Sequence, residues 1–106
     1  MLNLYNSLTK KQEEIQIDKD EVRIYLCGPT VQSSPHLGHG RSAVVFDFFI
    51  RYLKYLNYSV LFARNITDID DKIIQKSKEK DISYRELAEN VWKEFAVAHE
   101  LSLIHI

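Results

Sequence analysis

A single cysteine stands among the 106 residues, so no disulfide can form within the chain. No apolar run approaches the ~20 residues that a membrane-crossing helix requires. The opening residues, Met1-Leu-Asn-Leu-Tyr-Asn-Ser-Leu-Thr-Lys-Lys11, lack the continuous apolar stretch on which a secretory signal depends. These absences leave a reducing cytoplasm as the expected compartment, with no membrane partner. Lysine and arginine number 14 against 15 aspartate and glutamate, for a formal net charge of −1. The basic residues are dispersed, so the electrostatic footprint of a tight nucleic-acid binder is missing. Internal repeats and low-complexity tracts are absent as well.

What is present is an ordinary globular balance, 45% hydrophobic and 27% charged, which argues against disorder. The length suits one domain or half of a larger doubly wound one. Residues 2 to 17 alternate weakly around a polar Thr9-Lys-Lys-Gln12 tip and read as a peripheral hairpin, with a helix as the alternative. Val22 to Leu26 reads as a short strand stopped by Gly28 and Pro29, and Gln32-Ser-Ser-Pro35 as loop. From about Gly40 to Asn57 the spacing predicts a helix. Its expected apolar face is Val45, Phe48, Phe49, Tyr52, Leu53 and Leu56, with Asp47, Arg51 and Lys54 opposite. The aromatic residues Phe46, Phe48, Phe49 and Tyr52 are expected to fill core.

Tyr58 to Ala63 reads as a second strand, which completes a strand–helix–strand unit and so predicts a parallel, right-handed pair. Two helices follow. Thr67 with Asp70 resembles a capping box, Ser83 with Glu86 fits one fully, and Leu87, Ala88, Val91, Trp92 and Phe95 form one apolar face. Parallel strands deliver their carboxyl ends to one sheet edge, where ligands of open α/β folds bind. The Cys27 and Asn65 loops are therefore expected to be neighbours, and residues 27–39 and 65–70 to line one crevice. His36-Leu-Gly-His39 opens the first helix. A glycine there permits close backbone approach, and a helix N-terminus favours an anion such as a nucleotide phosphate.

Taken together, Tyr25-Leu-Cys-Gly-Pro-Thr30, Pro35-His-Leu-Gly-His39, Val45-Phe-Asp47 and Arg64-Asn-Ile-Thr-Asp-Ile-Asp-Asp71 resemble the amino-terminal catalytic segment of cysteinyl-tRNA synthetase, a class I aminoacyl-tRNA synthetase. The resemblance runs over residues 1 to about 99. The His-x-Gly-His element alone is shared by all class I synthetases and related nucleotidyltransferases, and its specificity comes from the two flanking motifs. The implied fold is α/β, a Rossmann-like half domain with a parallel βαβ core. It divides into a peripheral hairpin (1–20), the first half of the catalytic domain (21–100) and an anomalous tail (101–106).

The resemblance implies an enzyme that activates L-cysteine with ATP and Mg²⁺ and transfers it to tRNA(Cys). Contacts to the tRNA would lie mainly in other regions. It implies that His36 and His39 are catalytic, facing the ATP phosphates as the cysteine carboxylate attacks the α-phosphorus. Pro29, Thr30 and Gly38 would join them in binding ATP, and Gly28 and Thr67 would contact cysteine. Cys27 would be a zinc ligand, since a soft metal holding the substrate thiol discriminates against serine. A catalytic zinc takes three protein ligands, and the other ligands are expected beyond residue 106, so these residues alone should bind zinc weakly or not at all.

Simpler readings stand beside these. Cys27 could be a small buried apolar side chain. The histidines could merely satisfy a helix start, Thr30 and Gly28 could serve a turn, and Thr67 could only cap. Asp68, Asp70 and Asp71 suit a helix's first turn better than a magnesium site, with Arg64 and Lys72 expected to balance them. His99 and His105 are expected to face solvent or fray.

Relative to the family's common form, Leu37 stands for isoleucine, Gln32-Ser33-Ser34 for a stretch that often carries Tyr-Asp-Tyr, and Gly40 for alanine. The apolar end Leu101-Ser-Leu-Ile-His-Ile106 looks unlike native continuation and is expected to pack on nothing in particular. The lysine-rich second ATP motif is not found, and the 106 residues alone are expected to be inactive. The alternatives are the cysteine ligase of mycothiol synthesis and a non-catalytic nucleotide-binding fragment.

Overall fold

The structure, a computed structural model, describes residues 2–17 and 21–101. Strands β1 (Asn3–Asn6) and β2 (Lys11–Glu14) pair antiparallel, with Asn3 opposite Glu14. They form the expected hairpin. Its turn is closed by Lys10 N–H donating to the Asn6 carbonyl (2.8 Å), with Lys10 at φ 58°.

Strand β3 (Glu21–Leu26), helix α1 (Leu37–Tyr55) and strand β4 (Ser59–Arg64) follow. β3 and β4 pair parallel, from Glu21 opposite Ser59 to Leu26 opposite Arg64. The helical crossover between them is what a parallel pair demands. Alternation along both strands half-buries Val22, Ile24, Leu26, Val60, Phe62 and Arg64 on one face and exposes Arg23, Tyr25, Leu61 and Ala63 on the other. α1 packs on the first face. It ends where Asn57 turns back at φ 66°, a left-handed position that asparagine tolerates.

Two expectations for α1 are corrected. The helix begins at Leu37 rather than Gly40, because His36 and His39 cap it, which places Gly38, His39 and Gly40 in its first turn. The inward stripe is Ala43, Phe46, Ile50 and Leu53, so Leu53 of the expected face is buried as expected whereas Val45, Phe48 and Tyr52 are not: Phe46, Ile50 and Ala43 line a crevice with Leu26 and Phe62, and Leu53 is fully buried. Val45 is 54% exposed and Phe48 71% exposed. Phe48 and Tyr52 therefore do not fill core. Both stripes are apolar, so spacing alone could not choose between them. Asp47 borders the inner crevice and pairs with Arg51 (2.7 Å).

Helices α2 (Asp71–Lys80) and α3 (Tyr84–Leu101) complete the fold. α2 is capped by Asp70, whose carboxylate accepts from Lys72 N–H (2.8 Å). The expected Thr67 cap is thus replaced by the aspartate three residues on. Ser83 caps α3 by accepting from Glu86 N–H (3.1 Å). Leu87, Ala88, Val91 and Phe95 are buried as the apolar face predicted, with Ile73 of α2 and Val31 from the loop after β3. Val31 is fully buried, which by apolar burial contributes about 1.5–3 kcal/mol and ties that loop to the helices. Leu101 ends α3, and the expectation for the rest of the tail lies outside the described residues.

Gly40 sits in the first turn of α1 with open space where a Cβ would be. Gly40→Ala should therefore stabilise the chain by about 0.5–1 kcal/mol, since alanine loses less backbone entropy in a helix. A denaturant midpoint that does not rise would contradict this.

Candidate functional site

Beyond Leu26 and Arg64 the parallel pairing resumes with an offset of one residue, the Cys27 side carrying one residue more than the Asn65 side. Thr30 and Thr67 form an isolated parallel bridge. Thr67 N–H donates to the Pro29 carbonyl (3.0 Å), and Val31 N–H donates to the Thr67 carbonyl (3.1 Å). One step back, Gly28 N–H donates to Asn65 Oδ1 (2.6 Å), and Asn65 Nδ2 donates to Thr67 Oγ1 (3.4 Å). The Cys27 and Asn65 loops are neighbours, as parallel pairing predicted. Gly28 has to be glycine here, because a Cβ would coincide with the Asn65 carbonyl oxygen. Asn65 drew no attention as a residue in the sequence; its only signal was its place just after β4, where a side-chain amide can bridge two loops.

Cys27 is exposed, so it is not the buried apolar side chain of the simpler reading, and its thiol approaches the Gly28 carbonyl (Sγ···O 3.8 Å). It can offer one thiolate to a metal. Among the described residues no three His, Cys, Asp or Glu side chains gather into a metal site, so Cys27 does not make a zinc centre with its neighbours here.

At the start of α1 the two histidines form a reciprocal cap. Gly38 N–H donates to His36 Nδ1, and His36 N–H donates to His39 Nδ1, both at 3.1 Å. The rings stack at 3.8 Å. Accepting these bonds leaves each Nδ1 without a proton, so in the neutral ring the proton sits on Nε2. The pair thus carries two Nε2–H donors at the positive end of a helix, a set suited to an anion, while the N–H groups of Gly38, His39 and Gly40 are already taken up by His36. Gly38 is needed for this packing: a Cβ would lie 2.9 Å from His36 Cε1. Burial first, then the nearby His36, Arg64 and His99, hold His39 below its ordinary pKa of 6.5.

The histidines line a cavity of ≈ 280 Å³ with Pro35, Leu37, Gly40, Ala98 and His99. A larger cleft of ≈ 500 Å³ is lined by Val31, Ile66, Asp68 and Ile69 from the two loops and by Tyr84, Ala88 and Trp92 from α3, among others. The single crevice expected of residues 27–39 and 65–70 is therefore two hollows, divided because Val31 is buried against α3. His99 is corrected from solvent-facing to buried, 7% exposed, with Nδ1–H donating to the Phe95 carbonyl (2.7 Å). His105 lies outside the described residues. Arg64 forms no ion pair with the loop aspartates: its Nε is buried without a hydrogen-bond partner among the described residues, and burial lowers its pKa, opposed by the nearby Cys27.

A parallel strand–helix–strand unit with loops and a capped helix start at its carboxyl edge defines a Rossmann-like architecture. The family described as "tRNA synthetases class I (C) catalytic domain" matches residues 13–104. The chain belongs to this family, the cysteinyl members of the class I aminoacyl-tRNA synthetases. It is 52% identical over 95 residues to the cysteine-tRNA ligase of Pyrococcus horikoshii, covering 89% of this chain and 20% of that protein. It is 51% identical over 90 residues to that of Methanococcus maripaludis, covering 84% and 19%. For the enzyme of Persephonella marina the identity is 50% over 95 residues, covering 89% and 20%. The chain spans about a fifth of the length of the curated relatives it matches.

Two tests follow from this geometry. Gly28→Ala should destabilise the chain by about 3 kcal/mol or more, because a backbone carbonyl must move; an unchanged denaturant midpoint would refute the close approach. For His39 the depressed pKa means the unfolded chain takes up the proton first as pH falls below 6.5. Stability is then retained above 6.5 and declines as pH drops through that value toward the lowered one. His39→Gln should flatten this part of the profile, measured by denaturation between about pH 7 and about pH 5; an identical slope in the variant would count against it.

Proposed function

We propose that the chain carries part of the cysteine-activating centre of a cysteine-tRNA ligase, a centre that joins L-cysteine to ATP as cysteinyl-adenylate before transfer to tRNA(Cys). The observation that supports this most directly is the reciprocal histidine cap, which fixes two Nε2–H donors at a helix N-terminus. In this reading His36 and His39 donate to phosphate oxygens of ATP. The carboxylate of cysteine attacks the α-phosphorus, the bond to the bridging oxygen breaks, and pyrophosphate leaves with Mg²⁺. Charge grows on the phosphoryl oxygens in the transition state, where prepositioned donors lower the barrier.

Pro29, Thr30 and Gly38 give the nucleotide a backbone-lined approach. Gly28, whose N–H is committed to Asn65, offers cysteine its carbonyl, and Thr67 offers its hydroxyl. Cys27 serves as one zinc ligand whose companions come from outside the described residues. Zinc, when bound, supplies a soft Lewis acid for the substrate thiol.

Calorimetric titration of the 106-residue chain with ATP tests the reading. Saturable binding is expected, weakened about tenfold, or ~1.4 kcal/mol, by His36→Ala or His39→Ala. Cysteine-dependent ATP–pyrophosphate exchange is not expected from these residues alone, given how small a share of the relatives' length they span. An absence of ATP binding would overturn the proposal.

A further inference from the structure

The aromatic contacts of the histidine pair continue into α3. His39 meets the ring of Phe95 edge to face, with centroids 4.9 Å apart and planes at 70°, the arrangement that ring quadrupoles favour. Phe95 is fully buried in the core shared by α2, α3 and Val31. Its ring lies near-parallel to that of His99, with centroids 6.2 Å apart and planes at 24°. His99, one turn further along α3, donates Nδ1–H to the carbonyl of Phe95 itself. A carbonyl can only accept, so the His99 proton sits on Nδ1, and Nε2 is an acceptor buried without a partner among the described residues.

This imidazole is expensive to bury, and an apolar residue would fill the space without an unsatisfied atom. What it does here is close the cavity that holds His36 and His39 and lie alongside the ring that His39 rests on. The cap fixes Nδ1 of His39 but supplies only one hydrogen bond and a stack on His36, itself an exposed residue. Among the described residues the buried aromatic ring that the pair meets is Phe95.

We propose that Phe95, braced by His99, is a positioning residue for the His36–His39 pair: α3, which carries none of the motif residues, sets the plane of the His39 ring and so the direction of its Nε2–H. The ligand consequence rests on the proposed ATP reading; the ring geometry does not.

The test compares Phe95→Leu with Leu87→Val, a core change on the same helix more than two turns away, in the 106-residue chain. Imidazole resonances are read by NMR, and ATP affinity by titration. Phe95→Leu should remove the ring-current displacement of the His39 protons and raise the Kd for ATP about tenfold. Leu87→Val should lower stability yet leave the His39 resonances and the Kd within about twofold. His99→Gln, which keeps a donor but loses the ring, should move the His39 resonances in the same direction by less.

Unmoved His39 resonances in folded Phe95→Leu overturn the proposal. So does an equal loss of affinity in Leu87→Val, which would mean general loosening. Should Phe95→Leu fail to fold, unmoved His39 resonances in His99→Gln overturn it. If ATP fails to bind the unsubstituted chain while the His39 resonances respond as expected, the ATP reading falls and the positioning role stands.

Discussion

The site depends on one hydrogen-bonded seam, the parallel pairing of β3 and β4, which the Thr30–Thr67 bridge resumes past the strand ends after a one-residue offset. A slip of one residue would turn Val60, Phe62 and Arg64 outward and bring Leu61 and Ala63 under α1, so the apolar alternation locks the register. The pairing continues into the loops because Gly28 lets the Cys27 segment, one residue longer there, pass against the Asn65 carbonyl while its own N–H is held by the Asn65 side chain. Any side chain at position 28 would force the loops apart. The thiol of Cys27 and the hydroxyl of Thr67 are gathered by this seam; the histidines are placed by a different device.

That second device is the reciprocal cap, and there the plain and the chemical readings of His36 and His39 turn out to use the same bonds. A serine or aspartate cap would satisfy the helix N–H groups equally well. An imidazole that accepts through Nδ1 keeps a donor on its far nitrogen, which a carboxylate lacks. The proposed phosphate contacts therefore need no bond that the cap already consumes. Gly38 serves both, since its missing side chain is what leaves room for the His36 ring.

Local chemistry was legible in the sequence wherever it rested on neighbours along the chain. The two strands, their parallel sense, the Ser83 cap and the buried face of α3 could all be read from period and spacing. α1 was legible as a helix but not in its orientation. Ala43, Phe46 and Ile50 form with Leu53 as good an apolar stripe as Val45, Phe48, Phe49 and Tyr52 do, and a helix with two apolar stripes has no preferred face until a sheet is placed against it. Its start at the two histidines was legible as one of their possible roles, but the apolar spacing begins only near Gly40 and so set the first helical residue about a turn late. Thr67 was misjudged as a cap because the bridge to Thr30, a contact across 37 positions, claims its backbone. The burial of His99 was illegible for the same kind of reason, since it depends on the end of α3 reaching the start of α1.

α3 also explains why one expected crevice became two hollows. Tyr84, Ala88 and Trp92 wall the larger one and Ala98 and His99 the smaller, so a single helix without a motif residue borders both. Between them Val31 is driven into the α3 core, where it also lines the larger hollow. The electrostatics of the edge follow from what is not paired there. Arg64 is partly desolvated without a carboxylate bonded to it, while His39 is held neutral beside it. A buried guanidinium Nε with no hydrogen-bond partner among the described residues carries a desolvation cost, which an anion accepting from it would offset.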